Sequence, residues 1–512
     1  MREHAARHGW TIAMAMGSYN TVVPSFTRKE FLGIAAGSLS LNVRAAPALQ
    51  RRPKNVLLVM CDQHKHQALS IDGDPVAHTP NLDALARSGI RFDSAYCSNP
   101  VCVPARASLL TGLYTHHHHT WNNTTPLPFE HKTIAHYLGR AGYMSALIGK
   151  MHFVDAQTHG FDYKLDFNDW FQYLGPKTKL WADELGQPNS GSGQPQIDDL
   201  WRDFGDPWKD VREPDGRKGA VSVGGISKIP DRDQFESFVA RESIRFLKEH
   251  GKQQPFFLVT SFLKPHDPFM PSARFAARYP PESMRLPDTW GKVDLDTVPR
   301  EIRNAITLDR PTPELKDPAQ AKRRISYYYA SLEQMDEAAG QVLKALDDLG
   351  LAEDTLVVYT SDHGEMLGEH GLWNKFVFYE PSVAVPLIFH VPGLTQANAR
   401  CATPISITQV MPTILEICGV PVPSGIDGES LVRDLRQPAA TRQTTVYSEY
   451  ALRSPGAKYM IRRGDYKYCH YDNDTPELYN LRGDPKEMHN LAATEKSRAA
   501  EMDAEILAWR AK

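Results

Sequence analysis

The sequence predicts an α/β protein built on a large, mostly parallel central sheet. Four short apolar runs have the length and β-branched content of buried strands, and helical patterns such as TPNLDALARSG and TIAHYLGRAG lie between strand-like runs. Towards the end of the chain, alternating segments such as TTVYSEYALRS predict a smaller C-terminal α+β domain with antiparallel strands. A terminal helix is predicted from about Pro485 to Lys512.

Each of the four apolar runs stops abruptly at polar residues. The runs end at Asp62 and Gln63, at Lys150 and His152, at His266, and at Asp362 and His363. The carboxyl ends of parallel strands share one edge of a sheet, and open α/β folds bind their ligands at that edge. These residues are therefore predicted to form one site, although they are far apart in the chain.

Length and composition describe a globular protein. The 512 residues are 41% hydrophobic, which is enough to bury a large core, and the length suggests two or more domains. The 58 basic and 61 acidic residues give a formal net charge of -3, so no global field attracts nucleic acid or anionic lipid. An anionic substrate must be drawn by local groups. Six scattered cysteines do not predict a disulfide framework, although Cys97 and Cys102 could close a small loop.

Residues 1–50 are predicted to be an export signal and disordered leader. Arg28 and Lys29 precede an apolar run of small residues, and an alanine-rich site typical of cleavage follows near Ala46. The arrangement resembles a twin-arginine signal in which lysine replaces the second arginine, and it predicts a periplasmic or secreted protein. No apolar run of about 18 or more residues follows, so no membrane span is predicted.

Residues 155–235 interrupt the alternation of strands and helices, and they are predicted to form a long insertion that shapes a pocket. The segment is rich in loop-forming and aromatic residues. Its rings could stack on a sugar, enclose a quaternary ammonium group or pack within the insertion, and the sequence leaves these roles open. The aromatic residues in question are Trp170, Phe171, Tyr173, Trp181, Trp201 and Trp208.

The stretch SNPVCVPARASLLTG places Cys102 at the start of a predicted helix. Pro104 suits the first helical turn, and Gly112 closes the run of helix-forming residues. Unpaired backbone N–H groups at a helix amino terminus favour an anion and lower the pKa of a thiol. From these residues alone, Cys102 is either a buried structural cysteine or a thiolate nucleophile with histidine and aspartate partners.

The pattern Cys102-x-Pro104-x-Arg106, followed by Ala-Ser and by Leu-Thr-Gly, resembles the signature of type I sulfatases. The likeness continues over most of the chain after residue 53, through GKMH, SDHGEMLGEHGLWNK and LYNLRGDPKEMHNLA in that order. It implies an alkaline phosphatase-like sandwich, with a catalytic domain over residues 51–435 and a C-terminal subdomain over residues 436–512. It also implies that a formylglycine-generating enzyme oxidises Cys102 to Cα-formylglycine, whose hydrated aldehyde is the nucleophile.

The resemblance implies a metal site at two strand ends. The matching ligands are Asp62, Gln63, Asp362, His363 and the modified Cys102. The glutamine and histidine variants are typical of the choline-sulfatase and phosphonate-monoesterase side of the family. Oxygen-rich ligation implies one divalent cation, with Ca²⁺ expected and Mn²⁺ the alternative because one ligand is an imidazole.

Around the nucleophile, the resemblance assigns roles to three basic residues. Arg106 holds the aldehyde hydrate, Lys150 bonds the ester anion, and His152 removes a proton from the second hydroxyl of the hydrate. In the implied mechanism one hydroxyl of the hydrate attacks sulfur and the alcohol leaves, which gives a sulfated enzyme. Loss of the proton from the second hydroxyl then breaks the C–O bond, so that the aldehyde re-forms and sulfate leaves without attack of water on sulfur. A plain cysteine or serine lacks the second hydroxyl and would retain the covalent group.

On the leaving-group side, His266 and Lys375 match residues that contact the sulfate and the departing oxygen, and either would protonate the alcohol. Asn123 matches a substrate-binding asparagine, with Asn122 the adjacent alternative. Several cations around one metal imply a pocket for a compact anion. The four histidines at 116–119 are not predicted to be a metal site, because consecutive side chains point in different directions.

These features predict a sulfuric ester hydrolase that acts on a carbohydrate or another small organic sulfate. A phosphonate monoester or phosphodiester hydrolase with the same nucleophile is one alternative, although such relatives carry smaller or phenolic groups where this chain has Lys150 and His152. An anion-binding protein with an unmodified Cys102 is the other. The substrate stays open among choline sulfate, aryl sulfates and sulfated saccharides, and the absence of an obvious long tail after the terminal helix disfavours the choline enzyme itself.

Overall fold

The computed structural model describes residues 52–154, 156–181, 224–307, 313–453 and 456–512, so the predicted leader lies outside the described residues. The strands are β1 (Asn55–Cys61), β2 (Ile90–Phe92), β3 (Ala95–Tyr96), β4 (Met144–Gly149), β5 (Tyr163–Leu165), β6 (Phe256–Ser261), β7 (Thr355–Ser361), β8 (Ala384–Val385), β9 (Leu387–His390), β10 (Ala399–Cys401), β11 (Ile405–Ser406), β12 (Thr445–Tyr450), β13 (Lys458–Arg463), β14 (Tyr466–Tyr471) and β15 (Glu477–Asn480). The α-helices are α1 (Pro80–Ser88), α2 (Cys102–Thr111), α3 (Thr115–His118), α4 (Ile134–Arg140), α5 (Phe167–Leu174), α6 (Phe235–His250), α7 (Ala273–Ala276), α8 (Arg300–Thr307), α9 (Pro318–Asp348), α10 (Glu380–Val383), α11 (Val410–Cys418), α12 (Val432–Arg436) and α13 (Lys496–Arg510).

The largest sheet of the described residues has eight strands in the order β10-β2-β9-β7-β1-β6-β4-β5. Strand β1 pairs in parallel with β6 and β7, and β4 pairs in parallel with β5 and β6. Strand β9 is antiparallel to both β2 and β7. The four apolar runs of the sequence thus lie side by side as β7, β1, β6 and β4, and the predicted mostly parallel sheet is confirmed.

Both faces of this sheet are covered, as the pattern of β1 illustrates. Leu57 and Val59 belong to one apolar cluster, which includes residues of α6 and α9. Val56 and Leu58, whose side chains point to the other face, belong to a second cluster with residues of α2 and α11. A strand that is buried on both faces can be apolar at every position, which explains why VLLVMC, which follows Asn55 in this strand, is an uninterrupted apolar run.

The C-terminal part of the chain forms a four-stranded antiparallel sheet in the order β12-β13-β14-β15. Helix α13 packs on it through an apolar cluster that contains Ile461, Leu478 and Ile506. Polar contacts join this sheet to the rest of the chain. In one of them, Lys467 Nζ on β14 lies 2.8 Å from Glu380 Oε1 on α10. The predicted antiparallel C-terminal sheet is confirmed, whereas the domain boundary near residue 436 stays a prediction.

The terminal helix begins later than the sequence predicts, at Lys496 rather than near Pro485. In the preceding segment the carboxylate of Asp484 accepts hydrogen bonds from the backbone N–H groups of Met488 and His489. Such side-chain to backbone bonds compete with helical hydrogen bonds, and they hold this segment in turns. Among the described helices, none combines the length and the apolar composition needed to cross a membrane.

The described part of residues 155–235 contributes to the sheet and to the core. Strand β5 pairs with β4 at the end of the sheet, and α5 follows it. Trp170 is buried, its ring centroid lies 5.5 Å from that of Phe235, and its indole N–H donates to Asp233 O, so Trp170 packs in the core. Phe171 packs beside Trp170, and Tyr173 is 40% exposed. The other aromatic residues of the prediction lie outside the described side chains, namely Trp181, Trp201 and Trp208.

Candidate active site

Cys102 is the first residue of α2, and its thiol is buried at the carboxyl edge of the central sheet. The Sγ atom lies 3.2 Å from His363 Nε2 and 3.8 Å from Asp62 Oδ1. The helix ends at Gly112, which has a φ of 72° in the left-handed region. The helix that the sequence predicts to begin at Cys102 is therefore confirmed, and it points its first residue at two of the predicted strand ends.

Four predicted ligands converge on one point. Single donor atoms of Asp62, Cys102, Asp362 and His363 lie within 4.8 Å of one another. Asp62 follows β1, and Asp362 and His363 follow β7. The parallel pairing of these neighbouring strands brings the three side chains together. His363 Nδ1 lies 3.0 Å from the carbonyl oxygen of Gly364, which can only accept. The proton is therefore on Nδ1, and Nε2 presents its lone pair to the centre.

Gln63 presents its carbonyl oxygen to the same region. Its Nε2 atom donates to Asp267 Oδ1 at 3.1 Å and to Glu365 Oε2 at 2.5 Å, so both amide hydrogens are used. Its Oε1 atom accepts a hydrogen bond from Lys375 Nζ at 2.6 Å. The two carboxyl groups thus orient the amide so that oxygen, a suitable ligand for a hard cation, faces inward.

This donor set fits a divalent cation, with two carboxylates, one amide oxygen and one imidazole lone pair. Burial opposes ionisation of Asp62, but Lys150, His266 and Arg106 hold the pKa of its carboxyl well below the usual range, so it carries its charge. Within the described ranges, this is the cluster of three or more histidine, cysteine, aspartate and glutamate side chains whose geometry suits a metal. Which ion it binds stays a prediction.

Arg106 lies behind the two carboxylates and holds them in place. Its Nε donates to Asp362 Oδ2 at 2.7 Å, and its Nη2 donates to Asp62 Oδ2 at 2.9 Å. The third nitrogen, Nη1, donates to Lys150 O at 2.5 Å and to Ser261 Oγ at 3.1 Å. Burial opposes the charge, yet the two carboxylates raise the pKa of the guanidinium above its ordinary value. The structure therefore places Arg106 as a positioning residue for the carboxylates.

Two ammonium groups flank the thiol. Lys150 Nζ lies 3.9 Å and Lys375 Nζ lies 3.7 Å from Cys102 Sγ. Lys150 Nζ also lies 2.5 Å from Asp62 Oδ2. Burial opposes the charge of Lys375, but Cys102 and Asp62 raise the pKa of its ammonium group above the ordinary value. Position 102 is thus held between two cations, an environment that suits an anion.

Two histidines complete the site, with different hydrogen bonds. His266 Nδ1 lies 2.5 Å from the carbonyl oxygen of Asp267, so it carries a proton, and His266 Nε2 accepts from Lys375 Nζ at 2.8 Å. His152 is buried, and neither of its ring nitrogens has a hydrogen-bond partner among the described residues. Burial and the charge of Lys150 lower the pKa of His152 well below its ordinary value. His152 is therefore a neutral imidazole near neutral pH.

The two candidate asparagines occupy different environments. Asn123 is partly buried, and its Oδ1 accepts a hydrogen bond at 3.1 Å from the backbone N–H of Val103, in the first turn of α2. It satisfies one of the N–H groups that a helix leaves unpaired at its amino terminus. Asn122 is exposed, and its Oδ1 accepts from Thr124 N at 2.9 Å. The structure thus places Asn123, and not its neighbour, against the helix that carries Cys102.

Three buried or partly buried residues at the site were not predicted from the sequence. Glu365 accepts hydrogen bonds from Gln63 and from two backbone N–H groups of the loop before Lys375. Asp267 bonds the other amide hydrogen of Gln63, and Ser261 bonds Arg106. Each stands within three residues of a predicted position or at a strand end, which is the signal that could have identified it.

The histidines of residues 116–119 and the thiols of Cys97 and Cys102 have defined environments. The four histidine side chains contact separate partners, which are Glu449, Asp427, Ser108 and Trp121 in chain order. The rings of His116 and His117 nevertheless lie together, with centroids 4.0 Å apart, so the expectation that consecutive side chains point in different directions does not hold for this pair. Cys97 and Cys102 are both free thiols, so the small disulfide loop is absent from this structure, in which all six cysteines are described.

Two family models match the chain. The model described as "Sulfatase" matches residues 54–420, and the model described as "N-sulphoglucosamine sulphohydrolase, C-terminal" matches residues 368–511. The chain belongs to the sulfatase family. Family membership makes it a sulfuric ester hydrolase in reaction class, which confirms that prediction.

Similar proteins span nearly the whole of this sulfatase. A choline-sulfatase of Rhizobium meliloti is 31% identical, and the match covers 89% of this chain and 85% of the relative. An N-acetylglucosamine-6-O-sulfatase of Bacteroides thetaiotaomicron is 29% identical, with 90% of this chain and 86% of the relative covered. The solved structure of a phosphonate monoester hydrolase of Agrobacterium radiobacter has a TM-score of 0.74 at 25% identity, with 90% and 96% covered. The predicted alkaline phosphatase-like fold is confirmed.

Proposed function

We propose that this sulfatase hydrolyses the sulfate ester of a carbohydrate or another small organic alcohol through a formylglycine formed from Cys102. The observation that carries the proposal is the placement of Cys102 Sγ, buried between two lysine ammonium groups and 3.2 Å from His363 Nε2. A hydrated aldehyde at this position would supply a nucleophilic hydroxyl and a second hydroxyl for release of sulfate. The roles of the other site residues follow from the positions described above.

Asp62, Gln63, Asp362 and His363 are the residues that would hold one divalent cation, with Ca²⁺ expected and Mn²⁺ the alternative. Bound there, the cation would act as a Lewis acid that polarises an ester oxygen and favours ionisation of a hydroxyl at position 102. Arg106 keeps both carboxylates in position, because it donates separately to Asp62 and Asp362.

Lys150 and Lys375 bind the sulfate oxygens, since their ammonium groups lie on two sides of position 102. Lys375 also donates to His266 Nε2 at 2.8 Å. The proton that the departing alcohol needs therefore comes from this lysine–histidine pair. The ring nitrogens of His152 have no hydrogen-bond partner among the described residues, so one of them is available to take a proton from the second hydroxyl.

A phosphonate monoester or phosphodiester hydrolase is the second candidate, because the phosphonate monoester hydrolase described above has a similar fold. A sulfate ester presents three oxygens that all accept hydrogen bonds, whereas these phosphorus esters carry a carbon or a second ester oxygen at one of the three positions. Lys150 and His152 are both buried, and Lys150 Nζ lies 3.9 Å from Cys102 Sγ, so the site offers an additional donor and an additional base, which favours the sulfate ester.

The test combines mass spectrometry with turnover. The chain is produced with and without a formylglycine-generating enzyme, the mass of the peptide that contains residue 102 is measured, and sulfate and phosphate release are assayed separately. We expect sulfate release to follow the fraction of formylglycine, to be absent in Cys102→Ala and to persist in the control Cys418→Ala. Full turnover with an intact thiol contradicts the mechanism, and faster hydrolysis of a phosphonate monoester than of any sulfate ester supports the second candidate.

Export is a separate proposal that rests on the leader alone. We propose that residues 1–50 direct the protein to the periplasm or outside the cell through the twin-arginine-like Arg28 and Lys29. Fusion of this segment to a reporter that is active only after export tests it. We expect export of the parent fusion and loss of export when both residues are replaced by glutamine, and retention of the parent fusion in the cytoplasm would contradict it.

A further inference from the structure

A cavity of about 570 Å³ shares one residue, Lys375, with the candidate active site. Lys375 forms part of its wall, and the Nζ of Lys375 lies 3.7 Å from Cys102 Sγ. The volume falls in the range of about 300–1,000 Å³ that is typical of small-molecule sites. Because Lys375 borders both position 102 and this cavity, the cavity offers room for the alcohol part of the substrate.

The cavity lies where several parts of the chain meet. Its walls include Trp290, helix α8, the loop around Lys375, and residues at the adjoining ends of β12 and β13. Phe376 stands at the wall with 38% of its surface exposed, and its φ of 82° lies in the left-handed region. Asn374, on the other side of Lys375, has a φ of 65°. Non-glycine residues adopt such angles at a cost in free energy, and they concentrate at ligand sites.

An ion pair between a buried lysine and an exposed glutamate forms the main polar feature of the wall away from the nucleophile. Lys458 pairs with Glu301, and their side chains are 2% and 42% exposed. A ligand in the cavity would remove water from Glu301. Such a ligand must offer hydrogen bonds in return, because a desolvated carboxylate without a new partner is costly.

The charges of the cavity disfavour a cationic substrate. Lys316, Lys375 and Lys458 line it, with Glu301 as the acidic residue of the described lining. Lys458 Nζ lies 4.8 Å from the ring centroid of Tyr450, and Lys375 Nζ lies 5.8 Å from that of Phe376. These aromatic faces already hold ammonium groups, so they are not free to enclose a quaternary ammonium ion.

We infer that the cavity binds a sugar ring, with Glu301 accepting a hydrogen bond from one hydroxyl and Lys458 donating one to a neighbouring hydroxyl. This inference rests on the proposed sulfatase function. Hydroxyl groups donate and accept, so adjacent hydroxyls satisfy both members of an ion pair. A flat aryl group would cover Glu301 and Lys458 and would not replace the hydrogen bonds that water makes to them. Glu301 and Lys458 therefore determine specificity for the alcohol part of the substrate.

The experiment compares selectivity in the holoenzyme, with formylglycine at position 102 verified by mass spectrometry. Sulfate release is measured from a panel of monosaccharides sulfated at different hydroxyls, from 4-nitrophenyl sulfate and from choline sulfate. We expect Glu301→Ala to lower the ratio of kcat/KM for the best sugar sulfate to that for the nitrophenyl ester by about 10- to 100-fold, mainly through KM. Glu301→Gln keeps an acceptor and should lose less, and Lys458→Met should change the ratio in the same direction.

The matched control is Glu353→Ala, an exposed glutamate before β7 at the opposite edge of the sheet, and it should keep the parent ratio. Because Glu301 is partly exposed, its variants test the inference even if the buried Lys458 variant does not fold. Preference for choline sulfate, or an unchanged ratio in Glu301→Ala, overturns the sugar assignment while the sulfatase proposal stands. No sulfate release from any of the substrates overturns the proposed function itself.

Discussion

Arg106 Nη2 donates to Asp62 Oδ2 at 2.9 Å, and both side chains are buried. Removal of the guanidinium takes a buried cation away from both carboxylates, since the same residue also bonds Asp362, although Lys150 still pairs with Asp62. We expect Arg106→Met to lower the free energy of unfolding by about 3–5 kcal/mol in the presence of a chelator. Urea unfolding measures this, with the exposed Arg140→Met as the control. A loss of stability no larger than that of the control would contradict the positioning role.

Metal binding should stabilise the folded chain. A cation that binds the native state at about 100 times its Kd adds about 2.7 kcal/mol to the free energy of unfolding. We expect added Ca²⁺ or Mn²⁺ to raise the Tm of the chelated protein, and Asp362→Asn to abolish this increment. The exposed Asp347→Asn serves as the control and should retain it. An equal increment in both variants would place the metal elsewhere.

Lys375 should act in the chemical step more than in folding. Its ammonium group contacts position 102 and His266, so the charge it supplies is close to both the sulfate and the departing oxygen. We expect Lys375→Met to lower kcat for sulfate release by about 100- to 1,000-fold, as for loss of one preorganised electrostatic group. The exposed Lys344→Met should keep the parent kcat. Equal rates in the two variants would remove Lys375 from the mechanism.

Gly149 ends β4 directly before Lys150. Its φ is 109°, and a Cβ added there would lie 1.9 Å from the carbonyl oxygen of Ser261 on β6. Since backbone must move to admit alanine, we expect Gly149→Ala to lower both the Tm and sulfate release. Gly139→Ala is the matched control, because nothing lies within 4 Å of its added Cβ and it lies within helix α4. That change should stabilise the chain by about 1 kcal/mol.

Stability should fall in mild acid because of buried histidines such as His118. Burial lowers the pKa of His118 from 6.5 to about 3. The unfolded chain therefore binds the proton more readily than the folded chain, and the free energy of unfolding falls as the pH drops from 6.5 towards 3. The slope for one such group is about 1.4 kcal/mol per pH unit. Urea unfolding between these pH values should show a shallower slope for His118→Gln, whereas the exposed His489→Gln keeps that of the parent.

Much of the site could be predicted because its polar residues follow directly after apolar runs in the sequence. Asp62 and Asp362 follow strands that pair in parallel, so one rule about strand ends placed both at the same edge. Glu365 and Asp267 were not predicted, because their role is to orient the amide of Gln63 and such contacts leave no pattern in the chain. The start of the terminal helix was predicted too early because the turns made by Asp484 depend on its side-chain bonds to backbone.

The sequence by itself determined the mostly parallel sheet, the edge at which polar residues gather, and the helix that begins at Cys102. These features follow from local patterns, since strands buried on both faces, helices and strand ends can each be recognised from a short stretch of sequence. Only the tertiary structure decided that Arg106 bonds the carboxylate of Asp362 and that Glu301 pairs with Lys458 in the wall of a cavity. It also decided that the ring nitrogens of His152 are buried without a hydrogen-bond partner among the described residues. Those relationships join residues as many as 256 positions apart, and contacts over such separations are set by packing, which no local pattern records.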